Sequence, residues 1–411
     1  MMEKMGKRAR EAARILGISP HSQRSQALHL IADALRRDQA AILAANEEDL
    51  KNAQDIGTAM QDRLRLTPER LKGIADAVME VRELPDPLNE VQLEDTRPNG
   101  LHIRRVTVPL GVLAVIYEAR PNVTVDAATM ALKSGNAILL RGGKEAIRSN
   151  MALVDLIRLA LMAAGLPEDC VQLVEDTSRE SAKKLMQLDG YVDLLIPRGG
   201  PALIRSALEN AAMPVLQTGE GVCHVYVDKA ADLDMAVQVV VNAKTNRPST
   251  CNAAESLLIH QDIYDTALPL IGQALLGAGV ELRGDARAVK LLPGVKPAQQ
   301  EDWGQEYNAL IMTVKAVEDI GQAIKHITRY GTKHSEAILT QDEGAKERFF
   351  REVDAAAVYH NASTRFTDGG EFGFGAEIGI STQKMHCRGP VGIKALCSYK
   401  YLIDGKGQVR T

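Results

Sequence analysis

A chain of 411 residues is longer than one hydrophobic core sustains, about 250 to 300 residues, so two or more domains are expected. Its 45% hydrophobic and 25% charged residues are those of an ordinary globular protein, and a net charge of -4 with Lys and Arg dispersed carries no electrostatic footprint for nucleic acid or a membrane surface. No apolar run reaches the roughly 18 residues of a membrane span. The opening "MMEKMGKRAREAARILG" is an amphipathic, charge-rich helix rather than a secretory signal, so the expected location is the cytoplasm.

From Glu3 to about Asn52 the apolar residues follow a helical period, with Ser19 or Ser22 as candidate caps. "EVQLEDTRPNGLHIRRVTV" then alternates apolar and polar residues around Pro98-Asn99-Gly100, the pattern of a two-stranded ribbon, and "ALCSYKYLIDGKGQVR" repeats it near the other end. An isolated hairpin is marginal in water, so these ribbons should pair with each other or with another subunit. Between them, short apolar runs alternate with helical patterns: "GVLAVIY", helix 123–134, "NAILLR", helix 145–164, "VQLVE", helix 179–188, "VDLLIP", helix 200–210 and "VCHVYVD". A second series from Leu233 carries "ESLLIH", "NALIMTV", "EAILTQ" and "AAAVYH". Strands separated by helices imply parallel sheets covered on both faces, hence two α/β domains in tandem.

Five scattered cysteines without a CxxC pair argue against a disulfide framework and a structural zinc, and nine histidines without HExxH argue against a catalytic metal. Cys251, in "NAKTNRPSTCNAAESLLIH", lies on a loop before a strand, where a reactive thiol meets a substrate. A thiol of ordinary pKa is only a few per cent thiolate at neutral pH, and Arg247 and Lys244 upstream are candidates to raise the local potential. On composition alone a buried structural cysteine is the commoner outcome.

A parallel sheet binds ligands at the carboxyl ends of its strands, here the loops "EARPN", "GGKEA" and "RGGP". Gly142-Gly143 and Gly199-Gly200 either let backbone N–H groups approach a phosphate or are plain turn residues. GxGxxG is absent, "GGKE" is no P-loop, and "GFGAEIG" at Gly373–Gly379 has the wrong spacing, so a dinucleotide would bind by a variant mode.

The segments "AANEEDL", "VPLGVLAVIYEARPN", "KSGNAILLRGG" and "PSTCNAAE", in this order, resemble the aldehyde dehydrogenase superfamily. "VEDIGQAIKHITRYGTKHSEAI" (Val317–Ile338) and "FGFGAEIGISTQKMHCRGPVG" are similar to its gamma-glutamyl phosphate reductase family, the glutamate-5-semialdehyde dehydrogenases of proline biosynthesis. The resemblance covers essentially the whole chain. It implies an α/β, aldehyde dehydrogenase-like fold: two Rossmann-like parallel-sheet domains plus a β-ribbon oligomerisation arm. The cofactor-binding domain would span 1–91, 109–230 and 371–393, the catalytic domain 231–370, and the arm 92–108 and 394–411.

Carried over by position, Cys251 matches the superfamily nucleophile and Asn122 the amide that, with the Cys251 N–H, binds the oxyanion. Arg141, Gly142, Gly143, Lys144, Arg198, Gly199 and Glu306 match the cofactor site, Arg141 at the adenosine ribose and Glu306 at the nicotinamide ribose. Lys144 replaces the glutamate of NAD-preferring members; a cation there attracts a 2'-phosphate, so NADPH is the expected cofactor. Thr218 stands where hydrolytic members place their general base, with Glu220 offset, which fits reduction of an acyl phosphate rather than oxidation to an acid. Arg120, His224, Arg247 and His334 are candidates for the anionic groups of L-glutamate 5-phosphate. A homo-oligomer and a functional association with glutamate 5-kinase are further implications. The alternatives are a phosphate-independent NAD(P)-dependent semialdehyde dehydrogenase and a nucleotide-binding protein without catalysis.

Overall fold

The computed structural model describes residues 2–410, the side chains of Thr58 and Ala59 excepted. The chain divides into two compact units. The first holds the chain up to Thr218, Gly373–Gly379 and Val391 onward; the second holds Gly219–Phe372 and Ile380–Pro390.

The first unit opens with helices α1 (Met2–Leu16), α2 (His21–Arg37), α3 (Gln39–Asn52), α4 (Thr58–Leu64) and α5 (Pro68–Glu83). Neither expected serine caps α2. Its N-cap residue is Pro20, Ser22 lies inside the helix, and the Ser19 hydroxyl donates back to the Leu16 carbonyl at 2.6 Å, closing α1 instead. Strands β1 (Val91–Thr96) and β2 (His102–Pro109) form the antiparallel ribbon around Gly100, whose φ of +86° suits glycine.

Next come β3 (Val112–Tyr117), α6 (Pro121–Lys133), β4 (Ala137–Arg141), α7 (Ile147–Ala163), β5 (Val171–Leu173), α8 (Arg179–Met186), β6 (Leu194–Arg198) and α9 (Pro201–Asn210). The four strands pair in parallel in the order β5-β4-β3-β6. β3 is buried at every residue, as a strand covered on both faces must be. Val112, Ala114 and Ile116 pack with Ala137 and Leu139 against Met5, Ala9 and Ala13 of α1. Proline at the first turn starts α6 and α9, because its missing N–H is no loss there.

The second unit runs β7 (Cys223–Val227), α10 (Leu233–Thr245), β8 (Ala254–His260), α11 (Tyr264–Gly277), β9 (Glu281–Gly284), α12 (Ala286–Leu291), β10 (Lys296–Pro297), β11 (Ile311–Val317), α13 (Ile320–Tyr330), β12 (Ser335–Leu339), α14 (Glu343–Glu352) and β13 (Ala357–His360). Its seven-stranded parallel sheet has the order β10-β9-β11-β8-β7-β12-β13. The expected boundary at 230/231 is therefore corrected to Thr218/Gly219. β7 pairs with β8 and β12 of the second sheet, which the apolar run "VCHVYVD" cannot reveal. The expected 371–393 segment is likewise split, its two-stranded ribbon β14 (Ile380–Ser381) and β15 (Gly389–Pro390) lying in the second unit.

β16 (Cys397–Asp404), in the first unit, pairs antiparallel with β2, so the two ribbon-like segments form one sheet, β1-β2-β16. Val91 and Leu93 of β1 and Tyr399, Tyr401 and Ile403 of β16 remain exposed on its edge strands. Among the described residues no helix is long and apolar enough to cross a membrane.

Candidate active site

In the first unit the parallel strands deliver Glu118, Arg141 and Arg198 at their carboxyl ends. The Arg198 carbonyl accepts the Glu118 N–H at 3.3 Å, and the Glu118 carboxylate accepts the Gly200 N–H at 3.2 Å, at the start of α9. Arg141 donates through Nη2 to the Thr177 and Ser178 carbonyls, while its Nε is buried without a hydrogen-bond partner. Lys144, three residues on, is exposed. Close packing explains the glycines here: a Cβ on Gly142 would overlap the Asn150 amide, and one on Gly199 would lie 2.7 Å from Glu118 Cδ. Asn122, on the first turn of α6, donates to Asp126 at 3.0 Å. Burial pushes the Asp126 carboxyl up to about 6, against the pull of Asn122 and Arg198. Thr218 is buried and its hydroxyl donates to the Pro197 carbonyl at 2.8 Å. Arg120 is half-buried ahead of α6, its N–H bonded to the Glu118 carbonyl at 2.6 Å.

In the second unit the loop between α10 and β8 carries Cys251, half-buried. Its carbonyl accepts the Cys223 thiol at 3.3 Å, and a Cβ on Gly221 would overlap that same oxygen, so only glycine fits there. Gly221 in turn donates its N–H to Glu306 at 3.0 Å. On the other side the Asn252 amide donates to the Arg365 and Thr367 carbonyls at 3.2 and 2.9 Å, and the Thr364 hydroxyl donates to the Asn252 carbonyl at 2.7 Å. The nucleophile candidate thus sits on a peptide fixed from both flanks. Cys170, Cys223 and Cys397 are buried, and burial pushes the half-buried Cys387 up to about 11.

Lys244, read as a cation that raises the potential at Cys251, is fully buried and bonded to Glu255 at 2.5 Å. Burial disfavours both ions, and each partly restores the other. His224 and His334, expected at substrate anions, are fully buried in the sheet: His224 bonds Glu336 at 3.0 Å, and His334 bonds Ser335 at 2.8 Å. Arg247 remains exposed on the Cys251 loop. Sequence reasoning missed Arg365, whose Nη1 bonds the Asn252 side chain and whose Nε bonds Asn246 at 3.1 Å. "NASTRFTDGG" looks like an ordinary polar loop, so the sequence carries no signal for that pairing. No cluster that could hold a metal ion occurs among the described residues.

The profile of the aldehyde dehydrogenase family matches residues 1–309. A gamma-glutamyl phosphate reductase of Clostridium perfringens strain SM101 is 53% identical over 407 residues, 98% of each chain. Gamma-glutamyl phosphate reductase 1 of Bacillus licheniformis is 54% identical, again over 98% of each chain. Among solved structures, the gamma-glutamyl phosphate reductase of Thermotoga maritima superposes with a TM-score of 0.98 at 46% identity, with both chains covered in full.

Proposed function

Because the chain belongs to the aldehyde dehydrogenase family and, within it, to the gamma-glutamyl phosphate reductases, we propose that it reduces L-glutamate 5-phosphate to L-glutamate 5-semialdehyde and phosphate, with NADPH, through a thioester on Cys251. The observation that carries this reading is the Cys251 loop: a half-buried thiol on a peptide clamped through Gly221 and Cys223 on one side and Asn252 on the other.

In the forward reaction the Cys251 thiolate attacks the acyl phosphate carbonyl. The Sγ–C bond forms, the C–O bond to phosphate breaks, and the electron pair leaves on the phosphate oxygen. Asn122 is assigned to the tetrahedral oxyanion; Asp126 takes one of its two amide hydrogens, which orients the other. A single donor of this kind is worth about 3 to 4 kcal/mol. NADPH, when bound, supplies the hydride that takes the thioester to the aldehyde level. Collapse of the thiohemiacetal then breaks the C–S bond and returns the thiol.

The residues of the first unit suit a phosphorylated dinucleotide. The exposed Lys144 ammonium and the unpartnered Arg141 Nε are cationic donors with which a 2'-phosphate can pair. Arg198, Gly142, Gly143 and Gly199 line the same strand ends, and Glu306 is assigned to the nicotinamide ribose. Thr218 cannot serve as a base: it lacks a carboxylate, and its hydroxyl is bonded to a carbonyl. Without a base at that position, the proposed thioester waits for hydride rather than for activated water. Arg120 and Arg247 are assigned to substrate anions, whereas the buried His224 and His334 are assigned to holding the sheet beneath the loop. The exposed edge strands of the β1-β2-β16 sheet support a homo-oligomer, and the lability of the substrate supports a functional association with glutamate 5-kinase.

The test is NADPH oxidation with the acyl phosphate made in situ by that kinase from glutamate and ATP. Cys251→Ala should abolish turnover while NADPH still binds; turnover at the native rate would remove Cys251 from the chemistry.

A further inference from the structure

We infer that Arg365, together with Arg247, recognises the phosphate at the Cys251 site, holding the phosphoryl oxygens of the acyl phosphate in the forward direction and inorganic phosphate in the reverse. The inference rests on Cys251 being the nucleophile, as proposed above.

Arg365 lies on the short 3-10 turn Thr364–Phe366 that follows β13. Its Nη1 donates to the Asn252 side chain, the residue directly after Cys251, and its Nε donates to Asn246 at 3.1 Å, at the start of the same loop. Asn252 returns a bond to the Arg365 carbonyl at 3.2 Å, so side chain and backbone lock each other. Both asparagine bonds use the Nε and Nη1 edge of the fork and leave Nη2 outside them.

Among the described residues neither Arg365 nor Arg247 forms an ion pair. Burial first, and then the neighbouring Arg247 charge, disfavour the Arg365 cation; Asp368, Cys251 and Glu371 oppose that in part. A guanidinium does not shed its proton to relieve such crowding. Two like charges are therefore held beside one thiol without a carboxylate bonded to either, an arrangement that an anion relieves.

Distance along the substrate selects which anion. The phosphate oxygen is bonded to the very carbon that Sγ attacks, so the phosphoryl group stays within a few bonds of the thiol. The carboxylate lies at the far end of the molecule. As the C–O bond breaks, negative charge grows on the departing phosphate, where a rigid, charge-assisted donor acts most strongly. In reverse, a phosphate oxygen attacks the thioester carbon, the C–S bond breaks, and the electron pair returns to Sγ.

The measurement is reverse-direction kinetics with semialdehyde, NADP and inorganic phosphate, comparing the native protein with Arg365→Gln and Arg365→Lys. The KM for phosphate should rise roughly ten- to hundredfold in Arg365→Gln while the KM for semialdehyde stays within about twofold. Arg365→Lys should recover part of the loss, since it keeps the charge without the fork. A rise in the semialdehyde KM instead would make Arg365 a carboxylate ligand, and a fall in kcat with both KM values unchanged would make it a brace for Asn252; either overturns the inference. Native turnover that needs no phosphate would refute the acyl phosphate reading itself, a separate outcome. If Arg365→Gln is inactive, alkylation of Cys251 by iodoacetamide decides the matter. Inorganic phosphate should slow alkylation in the native protein and not in the variant, whereas equal protection in both contradicts the assignment.

Discussion

Gly221 lies so close to the Cys251 carbonyl that any Cβ would overlap its oxygen, and Glu306 holds the Gly221 N–H from the other side. The proposed nucleophile is thus held through its backbone, its carbonyl fixed by the Cys223 thiol as well as by the close approach of Gly221. Lys144 poses a different residue-scale question, because it is exposed and its interaction with a 2'-phosphate would be electrostatic and screened. Lys144→Glu should lower the preference for NADPH over NADH in kcat/KM by about tenfold or more, since a carboxylate repels the 2'-phosphate and can accept a free 2'-hydroxyl. An unchanged preference would place the discrimination elsewhere. Cys251 and Lys144 were candidates that a local sequence pattern and the family resemblance could supply. Arg365 and the Lys244–Glu255 pair were not. Arg365 reaches a residue 113 positions away, and Lys244 was read as a cation acting on Cys251 until its strand partner was known.

Elements with an apolar run or a clear alternation were legible, the short β5 and β13 included, and a short strand with neither was not. β3, β4, β6, β8 and β12 appear where "GVLAVIY", "NAILLR", "VDLLIP", "ESLLIH" and "EAILTQ" put them, whereas β9 has four residues, two of them charged, and escaped notice. The helix expected at 145–164 begins two residues late, after a 3-10 turn at Lys144–Ala146. α13 illustrates how an element carries a pH dependence. Its inner face buries His326 against Trp303, Tyr330 and His224. Burial first, then the charges of His224, Lys315 and Arg329, lower the imidazole to about 2. Unfolded, the same ring takes a proton near ~6.5. The unfolded chain therefore binds more protons between these values. The neutral ring's contribution is fully present above about 6.5 and is lost as pH falls, by at most about 1.4 kcal/mol per pH unit. His326→Phe should flatten the acid limb: urea midpoints taken at neutral and mildly acidic pH should differ less in the variant than in the native protein. Equal differences would mean that His326 does not govern that limb.

At the scale of the whole molecule, the chain sorts its chemistry into two units. The first carries the strand ends assigned to the dinucleotide, and the second carries the thiol and the two arginines. Composition and strand–helix alternation were enough to expect two α/β bodies, but not to place the boundary, because pairing decides which sheet a strand joins. β7 went to the second sheet and β16 returned to the first unit to complete the ribbon. The first move has no local signature, whereas the second follows from the alternation in both ribbons, which were expected to pair with each other or with another subunit. On the proposed mechanism the group exchanged at the Cys251 thioester is phosphate. The most direct measurement is rapid-mixing NADPH formation from semialdehyde and NADP, first without and then with inorganic phosphate. Without phosphate, a single burst of NADPH no larger than the amount of enzyme is expected and then stops; steady turnover should follow once phosphate is added, and the burst should be absent in Cys251→Ala. Sustained turnover without phosphate, at the rate seen with it, would contradict phosphate exchange at Cys251.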